Sequence, residues 1–339
     1  MKSVKKRLLF YMLFGISLVI TTDASGQRTR IRGFVEANTT LQNGKTSFGF
    51  GEQDLFITSD LNDNFSFLGE SVFKYSNSSS TNFSVSIERI VIKYNFKGNH
   101  NLLIGKHHTP INYWNDNYHH GRVFFPTVGR PLLFEEQIIP IHTTGIALQG
   151  LNLGKLKFGY NILVGNGLGS RDISDNDKRK SVSATFSIKP VNNLQIGVSY
   201  YNDAIAAGSE IHGKILEEKI KQKLYAASIS YFGNSIELLA EGIMANNDAN
   251  SVGNLKSYIY YVYAGIKIKP KWIPYFRYDK INFQEKEIYF DSHDVESFVV
   301  GLRHEVNYLT VVKLEYQNLK RESSDESIDK ISAQIAIGF

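Results

Sequence analysis

Apolar and polar residues alternate with a period of two along most of the chain, most clearly at its end. Ile331, Ala333, Ile335, Ile337 and Phe339 form an apolar set, and Lys330, Ser332, Gln334, Ala336 and Gly338 a polar or small one. In a strand these sets point to opposite faces. The division recurs at 181–189, where Val182, Ala184, Phe186 and Ile188 oppose Ser181, Ser183, Thr185, Ser187 and Lys189, and again at 155–165. About sixteen such segments run from 30–42 and 47–60 to 308–320 and 327–339, each near the roughly ten residues that a tilted membrane-spanning strand needs.

The connections carry a second pattern. Every other one is tight, as at Leu61-Asn62-Asp63, Lys97-Gly98-Asn99-His100, Leu153-Gly154 and Val306-Asn307, and most of the intervening ones are longer and polar, as at 167–179, 204–220 and 284–293. Short turns at one end and long loops at the other are the pattern of a transmembrane antiparallel up-and-down β-barrel, here of about sixteen strands. A soluble β-sandwich also alternates, but its loops need not. Mid-strand charges, Arg277 with Asp279, Arg303 with Glu305 and Lys313 with Glu315, are expected to stand in the water of a wet barrel interior.

The first residues read differently. Residues 2–7 are basic, Leu8 to Ile20 are apolar but too few for a comfortable membrane helix, and Ala24-Ser25-Gly26 is a small-residue cleavage site. Residues 1–26 are therefore expected to be a signal peptide, and 27–339 the outer-membrane barrel of a Gram-negative bacterium. Lys2, Lys5, Lys6 and Arg7 carry four positive charges and Asp23 one negative, so removing the leader lowers the net charge from +5 to near +2. That weak, dispersed charge gives no support to nucleic-acid binding. With no Cys, disulfides, thiolate metal sites and a lipoprotein anchor are excluded. Abundant Phe and Tyr with only 7 Pro suit many strands. Tyr258, Tyr260, Tyr261 and Tyr263, with Trp272, are expected to form an interfacial aromatic girdle, as are Phe65, Phe67, Phe73 and Tyr75.

The final strand, ending in Phe339, resembles the terminal signal that barrel assembly machinery reads in outer-membrane proteins. The run from Gly105 to Gly145, and Leu55 to Leu61 followed by Phe65 to Glu70, resemble segments of porin-like barrel proteins of Bacteroidetes. In general porins the third outside loop, after the fifth strand, folds inward and narrows the pore. The longest connection here, 108–139, also follows the fifth predicted strand, so the resemblance implies a constriction there.

Candidate site residues follow from that placement. Asp116, His119, His120, Arg122, Arg130, Glu135 and Glu136 lie on the loop, and facing charges there can select ions by sign. Strand parity turns Arg32, Glu36, Glu52, Asp54, Glu70, Lys74, Arg89 and Lys93 inward. His107, His108, His119, His120 and His142 with the nearby carboxylates have metal-ligand chemistry, but adjacent His point to opposite faces and no HExxH occurs. Hydrogen bonding of the infolded loop to the wall accounts for them without a metal. Residues 214–223 are read as a short helical turn, and Gly165 to Gly169 as a strand end rather than a phosphate cradle. No GxSxG elbow or similar arrangement points to an enzyme.

The expected function is passive diffusion of small hydrophilic solutes or ions, without cofactor or metal. The expected surroundings are outer-membrane lipid and lipopolysaccharide, with a homotrimer implied by the family resemblance. A plugged barrel serving adhesion or secretion, or an outer-membrane lipid hydrolase, are the alternative readings.

Overall fold

The computed structural model describes residues 28–75, 82–118, 121–168, 175, 177–269, 271–290, 293–323 and 327–339. The leader, His119 and His120 lie outside the described residues.

The alternating segments form β1 (Arg28–Gln42), β2 (Lys45–Phe50), β3 (Gln53–Asp60), β4 (Phe65–Tyr75), β5 (Phe83–Lys97), β6 (His100–His108), β7 (His142–Leu153), β8 (Phe158–Gly165), β9 (Ser181–Ile188) and β10 (Leu194–Ile205). After a loop hairpin of β11 (Glu210–Ile211) and β12 (Lys214–Ile215) come β13 (Ile220–Phe232), β14 (Ile236–Ala249), β15 (Gly253–Ile266), β16 (Trp272–Asn282), β17 (Val295–Asn307), β18 (Thr310–Arg321) and β19 (Ser327–Gly338). Each wall strand pairs antiparallel with its neighbours in sequence, and β19 returns to pair with β1, Phe34 opposite Gly338. Closure satisfies every strand edge, as a lipid surround demands.

The stretch expected as one strand at 47–60 is broken. β2 pairs with the upper half of β1 and β3 with its lower half. One extra residue at Gly51-Glu52 makes a bulge. Gly51 donates its N–H to the Glu36 carbonyl at 3.0 Å, and a Cβ there would lie 2.0 Å from the Glu36 carboxylate. Counted together, β2 and β3 complete a closed wall of 16 strands.

The outward face is apolar: Val198, Ile229, Leu238, Val262, Leu314 and Ile335 are all exposed. That belt belongs in hydrocarbon, where it costs nothing to leave apolar surface uncovered. No helix among the described residues is long and apolar enough to cross a membrane, and the crossing is made by strands. The helical turn expected at 214–223 is instead the hairpin strand β12 followed by the start of β13, because Lys214 and Ile211 pair across the loop.

Candidate functional site

Between β6 and β7 the chain turns into the barrel. At the neck, Thr109 donates its N–H to the Ile141 carbonyl at 2.9 Å. Asn115 ties both limbs, donating from Nδ2 to the carbonyls of Thr109 (2.9 Å) and Ile141 (3.1 Å). Asn112 caps a one-turn helix, Tyr113–Asn117, by accepting the Asn115 N–H at 2.9 Å. Two further turns follow, Arg122–Phe124 and Leu132–Glu135.

The loop packs its apolar residues against one side of the wall, and residues between Gly121 and Arg130 also reach Glu36, Glu52 and Asp54 on the other. Trp114, Phe125, Leu132 and Ile138 are buried in one apolar cluster with Leu224, Ile243, Tyr261 and Tyr275 of the inner wall. Each such fully buried side chain contributes about 1.5–3 kcal/mol. Charged wall groups satisfy the loop backbone. Glu241 accepts the N–H groups of Tyr113 and Trp114 and the Tyr261 hydroxyl. Asp279 accepts the Leu132 N–H at 3.0 Å. Arg277 donates to Thr127 Oγ1 (2.8 Å) and the Gly129 carbonyl (2.9 Å). Lys313 donates to the carbonyls of Arg122 (2.7 Å) and Thr127 (3.0 Å), and Glu315 accepts the Val128 N–H at 2.8 Å. Arg303 reaches the Pro126 carbonyl and pairs with Glu237 at 2.8 Å.

Three expectations are corrected by this arrangement. The mid-strand groups Arg277, Asp279, Arg303, Lys313 and Glu315 do not stand in water, Arg277 at 1% exposure and Lys313 at 0%, because the loop covers them, whereas Glu305 keeps its carboxylate exposed. Tyr261 and Tyr263 are not girdle residues. They point inward at 1% and 0% exposure and donate their hydroxyls to Glu241 and Glu237, whereas Tyr258 and Tyr260 face outward. Among the described residues, it is the charges of the wall that pin the loop. His107 donates to the Gly145 carbonyl at 3.2 Å, and His142 lies 3.1 Å from Glu88.

The opposite wall, β1 and β3 to β9, is left uncovered below the loop. A cavity of about 810 Å³ lies there, with Arg30, Arg32, Arg89, Lys93, Asp60 and Asp116 among its lining residues. Its lining reaches the turns at 152 and 157, so it opens toward the short-turn end of the barrel. Above it the loop and wall bring both signs of charge together. Arg122 lies 3.5 Å from Glu36 and 3.9 Å from Glu52, and Arg130 lies 3.7 Å from Glu52. Asp54 accepts the Gly121 N–H, Lys74 pairs with Glu52 at 2.7 Å, and Arg89 pairs with Glu70.

The eight wall residues chosen by parity thus all face the lumen, whereas the loop residues separate into three places. Arg122 and Arg130 meet the acidic wall. Asp116 looks into the lower cavity. Glu136 pairs with Arg321 near the long-loop end, and Glu135 lies beside it. Burial and the Arg122 charge lower the Arg130 guanidinium, and burial raises the Glu135 carboxyl. Asp116 is raised by its deep position in the barrel and by Glu241, and its contact with lumen water limits that rise. No cluster of three or more metal-ligating side chains occurs among the described residues.

Sequence reasoning missed Glu237 and Glu241 as anchors, and Arg30, Lys157 and Lys189 as lumen charges. The signal for Glu241 was present, since it shares a strand face with Leu239 and Ile243 and must meet a polar partner there.

No family model and no curated protein sequence matches the chain. Solved structures do. The anion-selective porin from Comamonas acidovorans aligns with a TM-score of 0.69 at 13% identity, over 93% of this chain and 100% of that one. OmpF of Salmonella typhi, in complex with daunomycin, gives 0.66 at 12%, over 93% and 98%. OmpT, an outer membrane protein of Vibrio cholerae in a trimer form, gives 0.65 at 12%, over 93% and 100%. The fold is that of an outer-membrane porin barrel. With its apolar belt, the chain is a barrel of the outer membrane.

Proposed function

We propose that the protein is a porin through which small hydrophilic solutes or ions diffuse passively. The observation that carries this reading is that the 108–139 loop docks its apolar bulk on one side of the lumen. It fills the half of the lumen along β13 to β18 and leaves a charged, water-accessible space along β1 and β3 to β9. A barrel of this strand number is wide enough for an aqueous channel, so a half-filled one is a narrowed channel. Above that space Arg122 and Arg130 lie within 4 Å of Glu36 and Glu52, and this crowded level limits solutes by size. The leader at 1–26 directs export, Phe339 is the residue offered to the assembly machinery, and a homotrimer in lipid and lipopolysaccharide is the assembled form.

Single-channel recording of the refolded mature protein in a planar bilayer tests the reading. Stable conductance steps are expected, and removal of residues 110–139 is expected to enlarge them. A folded barrel that stays silent until the loop is removed establishes a plug and overturns the porin assignment.

A further inference from the structure

We infer that the passage favours small anions, and that the selecting charges stand in the lower cavity rather than at the narrow level beside the loop. This rests on the channel reading above.

At the narrow level the charges are balanced and paired. Arg122 and Arg130 from the loop, with Lys74 and Arg89 from the wall, meet Glu36, Glu52, Asp54 and Glu70. Four cations against four carboxylates leave little net field. The cavity below differs. Arg30, Arg32, Arg89, Lys93, Lys157 and Lys189 line it, against Asp60 and Asp116. Arg89 is neutralised by Glu70. The other five have no carboxylate within ion-pair distance among the described residues, and Lys189 is held only by Asn152 at 3.4 Å.

These cations come from separate strands and form one stripe. Arg30 and Arg32 are successive inward positions of β1, Lys93 is inward on β5, and Lys157 and Lys189 sit at the β7–β8 turn and beyond β9. Arg30 stands opposite Thr58, itself opposite Leu68 and then Val91, so the β1 and β5 charges lie at neighbouring heights across the sheet. Unpaired like charges on the wall of a water-filled space with low-dielectric sides concentrate counterions and repel co-ions. A solute crossing the barrel traverses this cavity whatever happens at the loop. The chemical class that gains is small and negatively charged, chloride or a phosphate- or carboxylate-bearing solute. The field fades within roughly 8 Å at physiological salt and roughly 3 Å at 1 M, so the preference weakens as salt rises.

The test is the reversal potential of the full mature chain in a bilayer under a potassium chloride gradient at low salt. The expected chloride-to-potassium permeability ratio is about three or more, falling toward one in strong salt. R30E/R32E/K93E is expected to invert the ratio. Should that triple variant fail to give the heat-modifiable band of a folded barrel, K157Q/K189Q at the turns is expected to lower the ratio. E52Q, at the balanced level, is expected to move it less than either. A conducting wild type with no preference or with potassium preferred overturns the inference and leaves the porin reading standing. Unequal permeation that survives loss of the cavity charges and shifts with E52Q places selection at the loop instead, and also overturns it. A silent folded barrel overturns both.

Discussion

The Glu241 carboxylate of the wall caps the first helical turn of the loop, accepting the Trp114 N–H at 3.0 Å across 127 positions of sequence. The same carboxylate takes the Tyr113 N–H and the Tyr261 hydroxyl, so three buried donors depend on one side chain. E241A leaves all three unsatisfied, a loss of about 3 kcal/mol or more. The expected result is a barrel with a loosened loop: noisier current in single-channel recording and faster proteolytic cutting between residues 110 and 118, with the strand content by circular dichroism unchanged.

Arg277 and Asp279 are both dry, at 1% exposure each, and each also binds the loop. R277A strands the Asp279 charge, and the expected cost is about 3–5 kcal/mol, read as a lower denaturant midpoint in the folded-to-unfolded gel assay. R277M/D279L removes both charges and keeps the volume, and it is expected to be more stable than R277A. Equal stability of the two would mean that the loop and not the ion pair is the source of the loss.

Asp116 supplies a pH dependence whose sign follows from its raised carboxyl. A carboxyl raised in the folded barrel favours the docked loop below the ordinary carboxylate range, and this contribution is lost as pH rises through the folded value of about 7. The second cause of the rise is Glu241, so charging Asp116 also places two anions near the same turn. Conductance noise is therefore expected to increase modestly from pH 5 to pH 8, and D116N is expected to flatten that change. A wild-type profile already flat over this range would show that lumen water fully screens the group.

Closure of the barrel depends on a ring over a glycine. Gly33 exchanges backbone hydrogen bonds with Phe339 at 2.9 Å each way, and a Cβ at Gly33 would lie 2.4 Å from Phe339 Cζ and 2.7 Å from the Asp54 carbonyl. G33V is expected to reduce the yield of the heat-modifiable folded form severely. G33V/F339A is expected to recover only part of it, because the Asp54 carbonyl remains in the way.

The wall was legible because its physics is local. Alternation alone placed the last strand at 327–339, where β19 covers Ser327–Gly338, and parity alone turned Glu36, Glu70 and Arg89 inward. The break at Gly51-Glu52 was not legible, since a bulge leaves alternation intact on either side and depends on the Glu36 carbonyl of another strand. Tyr261 and Tyr263 were misplaced for a related reason. In the run 258–263 both faces are apolar, so composition shows that both are covered but not that lipid covers one and a loop the other. The anchoring roles of Arg277 and Lys313 required knowing where the loop rests, which contacts more than 140 positions apart decide.

The buried groups that seat the apolar part of the loop, from Glu241 to Lys313, are encoded after it in the chain, whereas Glu36 and Asp54, which meet Arg122 and Gly121, precede it. Contacts of such long sequence separation form late, once the strands that carry them are in place. Until β13 to β18 have joined the sheet, Trp114, Phe125 and Leu132 have no apolar surface to meet. A half-assembled barrel is therefore one whose loop has no seat, and the docked loop is the signature of a finished wall.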